Sequence, residues 1–590
     1  MCGIAGYIGG RNAPTLLFDM LKRLEYRGYD SAGVACFYDG KLVVCRGKGR
    51  VDEVRKNSEI EKIDSKTGIA HTRWATHGEP SDKNSHPHSD CTGEFTIAHN
   101  GIVENYKELK KELIKKGHEF RSETDTEVIP HLIEELYAGD FEKAFVKAVK
   151  SLSGSFAVVA IHAKDPGIIL VARKESPLII GVGKHENFIA SDTPAILPET
   201  RRIIILDDYE YGIVGKDSVT VKRLDSGKTI KKQVQEIDWS IKEAEKEGFD
   251  HFMIKEIFEE PDAVRNALKG QREIDRVAKK LGKYDRIYLV ACGTASYAGL
   301  VAKYVLERFG ISAESVVASE FRYSTVNTLG KDCALIAVSQ SGETADTLAS
   351  LKEAKKKGAY VVSIVNVVGS SITRLSDDYI YTYSGPEIAV ASTKAYVGQC
   401  VSLTLLSIAL AREHGKITQE YMHEIIDDLC KIPEKITAVL DNKSEIKKLA
   451  EKLKDKKTFF YIGRRQNYPT ALEGALKLKE ISYVHAEAYP AGELKHGPLA
   501  LIEKGVPVIA LNPNDDLKDK MESNMQEAKA RNATVITVSE DGDIKVPVCD
   551  PLLTPILYIV PLHLLAYYIS VGKGIDPDKP RNLAKSVTVE

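Results

Sequence analysis

Along residues 1–238 the apolar positions fall in short runs with turn-forming borders. Gly68-Ile69-Ala70-His71, Phe95-Thr96-Ile97-Ala98-His99 and Ser155-Phe156-Ala157-Val158-Val159-Ala160-Ile161 have the length and composition of strands. Leu109 to Lys116 and Thr126 to Tyr137 instead space their apolar residues at helical intervals. Runs of strands with grouped helices predict an α+β sandwich in which sheets lie between helices. Near Asp238-Trp239-Ser240 the pattern gives way to a charged stretch, 241–250, and His251-Phe252-Met253-Ile254-Lys255-Glu256-Ile257 then leads into a new region. Residues 239–270 therefore read as a linker.

Beyond it strands alternate with helical segments, the order of parallel βαβ layers. Tyr288-Leu289-Val290 lines up with Tyr461-Ile462-Gly463 at a separation of 173 residues, and Leu335-Ile336-Ala337 with Val508-Ile509-Ala510 at 173 again. Val361-Val362 matches Val535-Ile536 at 174. Three strands at a near-constant offset predict two copies of one doubly wound parallel α/β domain, 271–425 and 440–575, with a tail at 576–590. The period is far too long for a solenoid. Leu552 to Ile569 is apolar enough to raise a membrane span, but Pro555, Pro561 and His563 interrupt it, which predicts a buried core helix.

A chain of 590 residues exceeds what one core sustains, in keeping with several domains. Its 82 basic and 84 acidic residues leave a net charge of −2, so no global field draws it to nucleic acid or anionic lipid. Small molecules or protein are the expected partners. Nine cysteines without a C-x-x-C pair argue for a reduced, cytoplasmic enzyme rather than a disulfide scaffold or zinc ribbon. The first residues lack the basic and long apolar parts of a signal peptide.

Cys2 follows Met1 directly, so removal of one methionine would place a thiol and an α-amine on the same residue. A thiol near pH ~8.5 beside an amine near ~7.7–8.0 is a nucleophile with its own base. The segment His71-Thr72-Arg73-Trp74-Ala75-Thr76-His77-Gly78 offers a guanidinium suited to bidentate capture of an amino acid's carboxylate. Asn100-Gly101 offers a side-chain amide and an unencumbered N–H, a pair of oxyanion donors. Asp125, in Ser122-Glu123-Thr124-Asp125-Thr126-Glu127, offers a carboxylate for an ammonium. Taken singly, Arg73 reads equally as a surface ion partner, Asn100-Gly101 as a hairpin turn and Asp125 as a helix cap.

In the second region the chemistry sits in loops at strand ends, where open α/β sheets bind ligands. Ser339-Gln340-Ser341-Gly342-Glu343-Thr344 runs straight into a helix, bringing hydroxyls and helix-start N–H groups together for a phosphate. Val290-Ala291-Cys292-Gly293-Thr294 and Val390-Ala391-Ser392-Thr393-Lys394 follow the same logic. Neither a dinucleotide fingerprint nor a Walker motif is present. The second copy carries ionisable groups instead: Lys477 and Glu480 on one helix face, His496 in Gly492-Glu493-Leu494-Lys495-His496-Gly497, and Lys585 near the end. His86-Pro87-His88 has no nearby third ligand, so no metal is expected there.

The first set of motifs resembles the class II glutamine amidotransferases, a family of N-terminal nucleophile hydrolases. The whole chain, down to Leu583-Ala584-Lys585-Ser586-Val587, resembles the glutamine–fructose-6-phosphate aminotransferase family. The resemblance implies an αββα head over 1–238 and two sugar isomerase domains. It implies Cys2 as nucleophile, Asn100 and Gly101 as oxyanion hole, and Arg73, Trp74, Thr76, His77 and Asp125 around glutamine, with Trp74 gating an ammonia channel. The segment from Leu24 to Gly33 would frame this site. Thr294, Ser339, Gln340, Ser341, Thr344, Val390 and Ser392 would hold fructose 6-phosphate. His496 would open the sugar ring, Lys585 form a Schiff base through an amine of depressed pKa, and Glu480 move a proton between C1 and C2 with Lys477 assisting. Ala295 stands where this family often carries serine, with Ser296 beside it. No cofactor is implied, and a homodimer is. Two alternatives are weaker: a phosphoribosyl pyrophosphate amidotransferase would need an acidic pyrophosphate loop, and a sugar phosphate sensor would not need Glu480, His496 and Lys585 together.

Overall fold

The structure is a computed structural model that describes residues 2–75, 77–237 and 245–588. The chain divides into two compact units at residue 241, with residues from Ser586 onward grouped with the first unit and Lys585 in the second.

The first unit is a pair of antiparallel sheets. In the eight-stranded sheet Gly3–Ile8 lies between Asn187–Ala190 and Thr67–Arg73, and Ser31–Tyr38 and Lys41–Lys48 follow outward from Thr67–Arg73. In the seven-stranded sheet Phe95–Val103 pairs with Gly154–His162, which pairs with Ile168–Lys174. The run around Ser155 is continuously apolar because both its faces are covered. Ala157, Val159 and Ile161 meet Ile4, Ile8, Ile69 and Ile189 of the other sheet, whereas Phe156, Val158 and Ala160 lie under helices Val128–Leu136 and Phe141–Lys150. Such alternation is what the two-residue period of a strand imposes. The second of these helices starts at Asp140, whose carboxylate accepts from Lys143 N at 3.0 Å, and buries Phe141, Ala144, Phe145, Ala148 and Val149 along one stripe. Helix Ala13–Leu24 covers the outer face of the eight-stranded sheet, which completes the helix–sheet–sheet–helix layering.

The second unit contains two five-stranded parallel sheets. The first runs Ala313–Val317, Arg286–Ala291, Cys333–Ser339, Tyr360–Val365, Asp378–Tyr381; the second runs His485–Pro490, Thr458–Gly463, Pro507–Leu511, Thr534–Ser539, Ile544–Lys545. Both follow the doubly wound order 2-1-3-4-5, as the internal repeat predicts. One detail of that repeat needs correction. Tyr288 pairs with Leu335, and the residue paired with Val508 is Phe460, so the first strand repeats at 172 residues rather than 173. The faces agree: Tyr288 and Phe460 each point away from the core shared by the two sheets, while Leu289 and Tyr461 point into it. A one-residue slip would have inverted both strands.

That shared core runs through both sheets and is filled by two long apolar helices, Lys394–Glu413 and Thr554–Gly572. Each is long and apolar enough to cross a membrane by composition, yet each is enclosed by protein, as predicted for the latter. Residues 252–270, read above as linker, fold instead as helices Phe252–Phe258 and Glu260–Ala267 with a short turn, and Met253, Ile254, Ile257, Val264 and Ala267 belong to this core. The charged positions interspersed among them disguise the stripe. The Asp238-Trp239-Ser240 boundary lies outside the described residues.

Candidate active site

In the first unit, Cys2 precedes the strand Gly3–Ile8, and its sulfur accepts from Trp74 N at 3.3 Å and donates to Trp74 O at 3.5 Å. Its carbonyl oxygen accepts from Asn100 Nδ2 at 3.0 Å and from Arg27 Nε at 3.3 Å. Asn100 is oriented from behind: His71 Nε2 donates to both His99 O at 3.0 Å and Asn100 Oδ1 at 3.1 Å, which turns the amide nitrogen toward Cys2. Asn100-Gly101 is no hairpin turn but lies inside the strand Phe95–Val103. Gly101 has φ +125°, and a Cβ there would come within 2.1 Å of Ser155 O, so only glycine fits.

Arg73 and Asp125 both act electrostatically on the Cys2 thiol, whose pKa is raised mainly by burial; Arg73 lowers it and Asp125 raises it. Arg73 Nη2 donates to the carbonyls of His77 and Gly78, but its buried Nη1 has no hydrogen-bond partner among the described residues. A buried guanidinium N–H left over is what an incoming carboxylate would satisfy. Asp125 accepts from Val103 N at 2.7 Å. The His77 ring packs edge-on against Tyr106 at 5.6 Å, and Thr76 lies outside the described residues. The 24–33 segment does frame the site. Arg27 and Tyr26 are tied to Asp192 at 2.6 and 2.7 Å, Asp30 accepts from Ala75 N at 2.9 Å, and Tyr29 meets Trp74 edge-on at 5.7 Å. Arg27 and His71, both oriented on Cys2 or its amide partner, were not singled out in the sequence.

His86 stacks on His71 at 4.1 Å, and His88 bridges Arg46 and Thr124 at 3.2 Å each. Burial holds His71 down to about 3 and lowers His86, His88 and His99 as well, so these rings are neutral at neutral pH. In the unfolded chain they take up protons below pH ~6.5, so their contribution to stability is complete above that value and is lost as pH falls toward the folded pKa. The second unit contains buried carboxyls shifted the opposite way: burial pushes Glu256 and Glu473 up to about 8. We therefore expect the first unit to open first in acid. Hydrogen exchange between pH 7 and 5 should lose protection in Thr67–Arg73 and Phe95–Val103 before Arg286–Ala291; simultaneous loss would refute the assignment.

In the second unit the order 2-1-3-4-5 puts a topological switch point between Arg286–Ala291 and Cys333–Ser339. The two hydroxyl-bearing loops leave from there. Ser339 Oγ accepts from Gly342 N at 2.9 Å and lies 3.3 Å from Thr344 Oγ1; Ser341 Oγ accepts from Glu343 N at 3.2 Å; helix Ala345–Lys356 follows. Gln340 O accepts from Asn366 N at 3.2 Å. Ser370, not anticipated, adds a further hydroxyl, for a Cβ on Gly342 would lie 2.2 Å from its oxygen.

Thr294 departs from its expected surroundings. Its hydroxyl donates to Glu473 at 3.1 Å and accepts from Lys477 Nζ at 3.1 Å, and Lys477 pairs with Glu480 at 2.7 Å and Glu473 at 3.2 Å. Burial opposes the charge on Lys477, yet the two carboxyls hold its pKa above the usual range. Ser296 donates to Gly293 O at 2.6 Å and serves its own turn.

The second cluster centres on Glu387, another residue the sequence did not flag. It pairs with Lys585, accepts from Ser392 Oγ at 2.8 Å, and accepts from Thr393 N and Ala395 N at 2.8 and 3.0 Å. Although burial works against its charge, Lys585 and the amides hold Glu387 down to about 2. Val390 N donates to Asp578 O at 3.2 Å. His563, buried with Glu260 at 2.6 Å, is held to about 3 by burial and feels both Lys477 and Glu387, so the two clusters share one electrostatic neighbourhood. His496 is the exception. It is exposed at the end of Ala491–His496, and among the described residues no hydrogen bond or ion pair joins it to Lys477, Glu480 or Lys585.

A thiol beside oxyanion donors and a guanidinium N–H left unpaired among the described residues in one unit, and hydroxyl loops at the carboxyl ends of parallel strands with paired lysines and carboxyls in the other, are the arrangement of a glutamine amidotransferase joined to sugar isomerase domains. Residues 71–198 match the glutamine amidotransferase domain family and residues 280–409 and 452–544 match the SIS domain family. The chain belongs to the glutamine–fructose-6-phosphate aminotransferase (isomerizing) family: relatives of that name from Thermococcus kodakarensis and Pyrococcus horikoshii are each 53% identical over 100% of both chains. The solved C-terminal domain of glucosamine-fructose-6-phosphate aminotransferase from Francisella tularensis is 40% identical with a TM-score of 0.55, covering 57% of this chain and 100% of that one.

Proposed function

We propose that the chain converts L-glutamine and fructose 6-phosphate into glutamate and glucosamine 6-phosphate, the entry reaction of amino sugar synthesis. The observation that carries this reading is the coexistence, in a chain of this family, of the Cys2–Asn100–Arg73 arrangement with the Lys477–Glu480 and Glu387–Lys585 pairs.

Arg73 and Asp125 receive the α-carboxylate and α-ammonium of glutamine. The Cys2 thiol, its proton passed to the freed α-amine, attacks the side-chain amide. One N–H of Asn100 stays on Cys2 O while the other, with Gly101 N–H, faces the developing oxyanion. Collapse to the thioester expels ammonia, and water then releases glutamate. At the sugar, the Ser339–Thr344 loop holds the phosphate, and Lys585 engages the C2 ketone once its proton has left the pair with Glu387. Water leaves as Lys585 condenses with that carbon, and ammonia then displaces the Lys585 amine to give the C2 imine. Glu480, beside Lys477, removes the C1 proton and returns it to C2, which leaves an aldose with an amine at C2. Exposed His496 fits a homodimer in which it reaches the sugar of a second copy, and the cytoplasm is the proposed location.

The test is product formation by purified chain whose first residue is established by mass as Cys2. Glucosamine 6-phosphate and glutamate appearing in equal amounts are expected. Glutamate without amino sugar would overturn the transfer step, and sugar phosphate binding without turnover would favour a sensor.

A further inference from the structure

Outside both sites, Cys91, His118, His131 and Glu134 bring a thiol, two imidazole nitrogens and a carboxylate oxygen within 4.8 Å of one another. They come from three places: the turn before Phe95–Val103, the segment after helix Tyr106–Lys115, and helix Val128–Leu136, where His131 and Glu134 share a face. Cys91 Sγ lies 3.7 Å from His118 Nδ1 and 3.4 Å from His131 Nδ1, and Glu134 Oε2 lies 3.1 Å from His118 Nδ1 and 3.5 Å from His131 Nδ1. Four ligands at ordinary zinc bond lengths define a tetrahedron whose edges are about 3.3–3.6 Å. The four separations straddle that value. They are the spacings that four ligands take around one central cation, and Glu134 Oε2, which also accepts from Cys91 N at 3.2 Å, faces both Nδ1 atoms at once.

The surroundings are those of a ligated metal. The far nitrogen of His118 hydrogen-bonds the Glu135 carboxylate at 3.3 Å, the outer arrangement that fixes a ligating imidazole, and His131 Nε2 faces Glu127 at the longer distance of 3.9 Å. The His131 Nε2 atom is buried with no hydrogen bond among the described residues. The Cys91 sulfur accepts from Glu119 N at 3.4 Å. His131 is buried and the other three are partly exposed, which leaves an entry path.

We propose that these four residues bind one zinc ion that serves structure rather than turnover. It would clamp the turn at Cys91 and the segment at His118 to the helix immediately following Asp125 and Glu127. Glu127 in turn accepts from Arg121 N at 2.8 Å and Ser122 N at 2.7 Å, so the clamp would hold the loop that presents Asp125 to glutamine.

The experiment uses the full chain in a Cys2→Ala, Cys430→Ala background, to remove the N-terminal nucleophile and the exposed free thiol, stripped with chelator and confirmed folded by circular dichroism. Cobalt(II) is expected to give intense visible bands of tetrahedral geometry and a near-ultraviolet sulfur charge-transfer band at one equivalent, with zinc displacing it. Cys91→Ala should abolish the charge-transfer band. Glu135→Gln, a surface change that spares all four ligands, should weaken zinc by about 10–100-fold in a chelator competition. Octahedral or absent cobalt bands in the folded chain, a charge-transfer band surviving Cys91→Ala, or unchanged zinc affinity in Glu135→Gln would each overturn the proposal.

Discussion

Replacing Cys2 by alanine is expected to lower glutamine hydrolysis by about 10⁴-fold or more, the scale on which an enzyme loses its nucleophile. The loss should fall on turnover and not on folding. The thiol makes only long bonds to Trp74, and the Cys2 carbonyl keeps both Asn100 and Arg27. Glutamine should still bind, because Arg73 and Asp125 are untouched. The second unit offers an internal control: proton exchange at C1 of fructose 6-phosphate in D2O, proposed above for Glu480, should survive. Residual hydrolysis above a hundredth of the parent rate would remove Cys2 from the mechanism.

The second large effect concerns Lys585. In Lys585→Gln, glucosamine 6-phosphate formation should drop by about 10³-fold or more while glutamine hydrolysis persists, since the two chemistries sit on different residues. Stability should drop as well. Glu387 is fully buried, and removing its ammonium partner strands a carboxylate at a cost of about 3–5 kcal/mol. The pair contributes stability at pH values above the unfolded glutamate pKa of ~4.3, lost as pH falls toward about 2, and the variant forfeits that contribution. Pairing the change with Glu387→Gln separates the roles. The double variant should recover much of the lost melting temperature without recovering turnover; recovery of both would make Lys585 a structural residue only.

How far such residues can be found without coordinates depends on whether their signal is local. Cys2, Asn100-Gly101 and the Ser339–Thr344 loop are legible because each unites reactive groups within a few consecutive residues. The buried helix Thr554–Gly572 is legible because prolines and His563 break an otherwise uniform apolar run. Glu387, Glu473 and His71 are hidden by the opposite circumstance. Each is a single polar residue whose importance arises only when the fold brings it against Lys585, Thr294 or Asn100. The Cys91–His118–His131–Glu134 group is harder still, for its members are spread across 44 positions with no repeating interval. The slip of one residue in the repeat shows another limit. Tyr288-Leu289 and Phe460-Tyr461 are apolar at both positions, so composition alone cannot say which residue faces the shared core.

That common interior also governs what can be cut from the molecule. Because Ile287, Leu289, Phe459 and Tyr461 all contribute to one hydrophobic mass, neither half of the duplicated region owns a complete lining. A fragment ending near residue 440 would expose the flank of Lys394–Glu413, and one beginning there would expose Thr554–Gly572. The two halves are held in one interior yet are unequal in their chemistry: the first carries the Ser339–Thr344 loop, and the second carries Lys477 and Glu480.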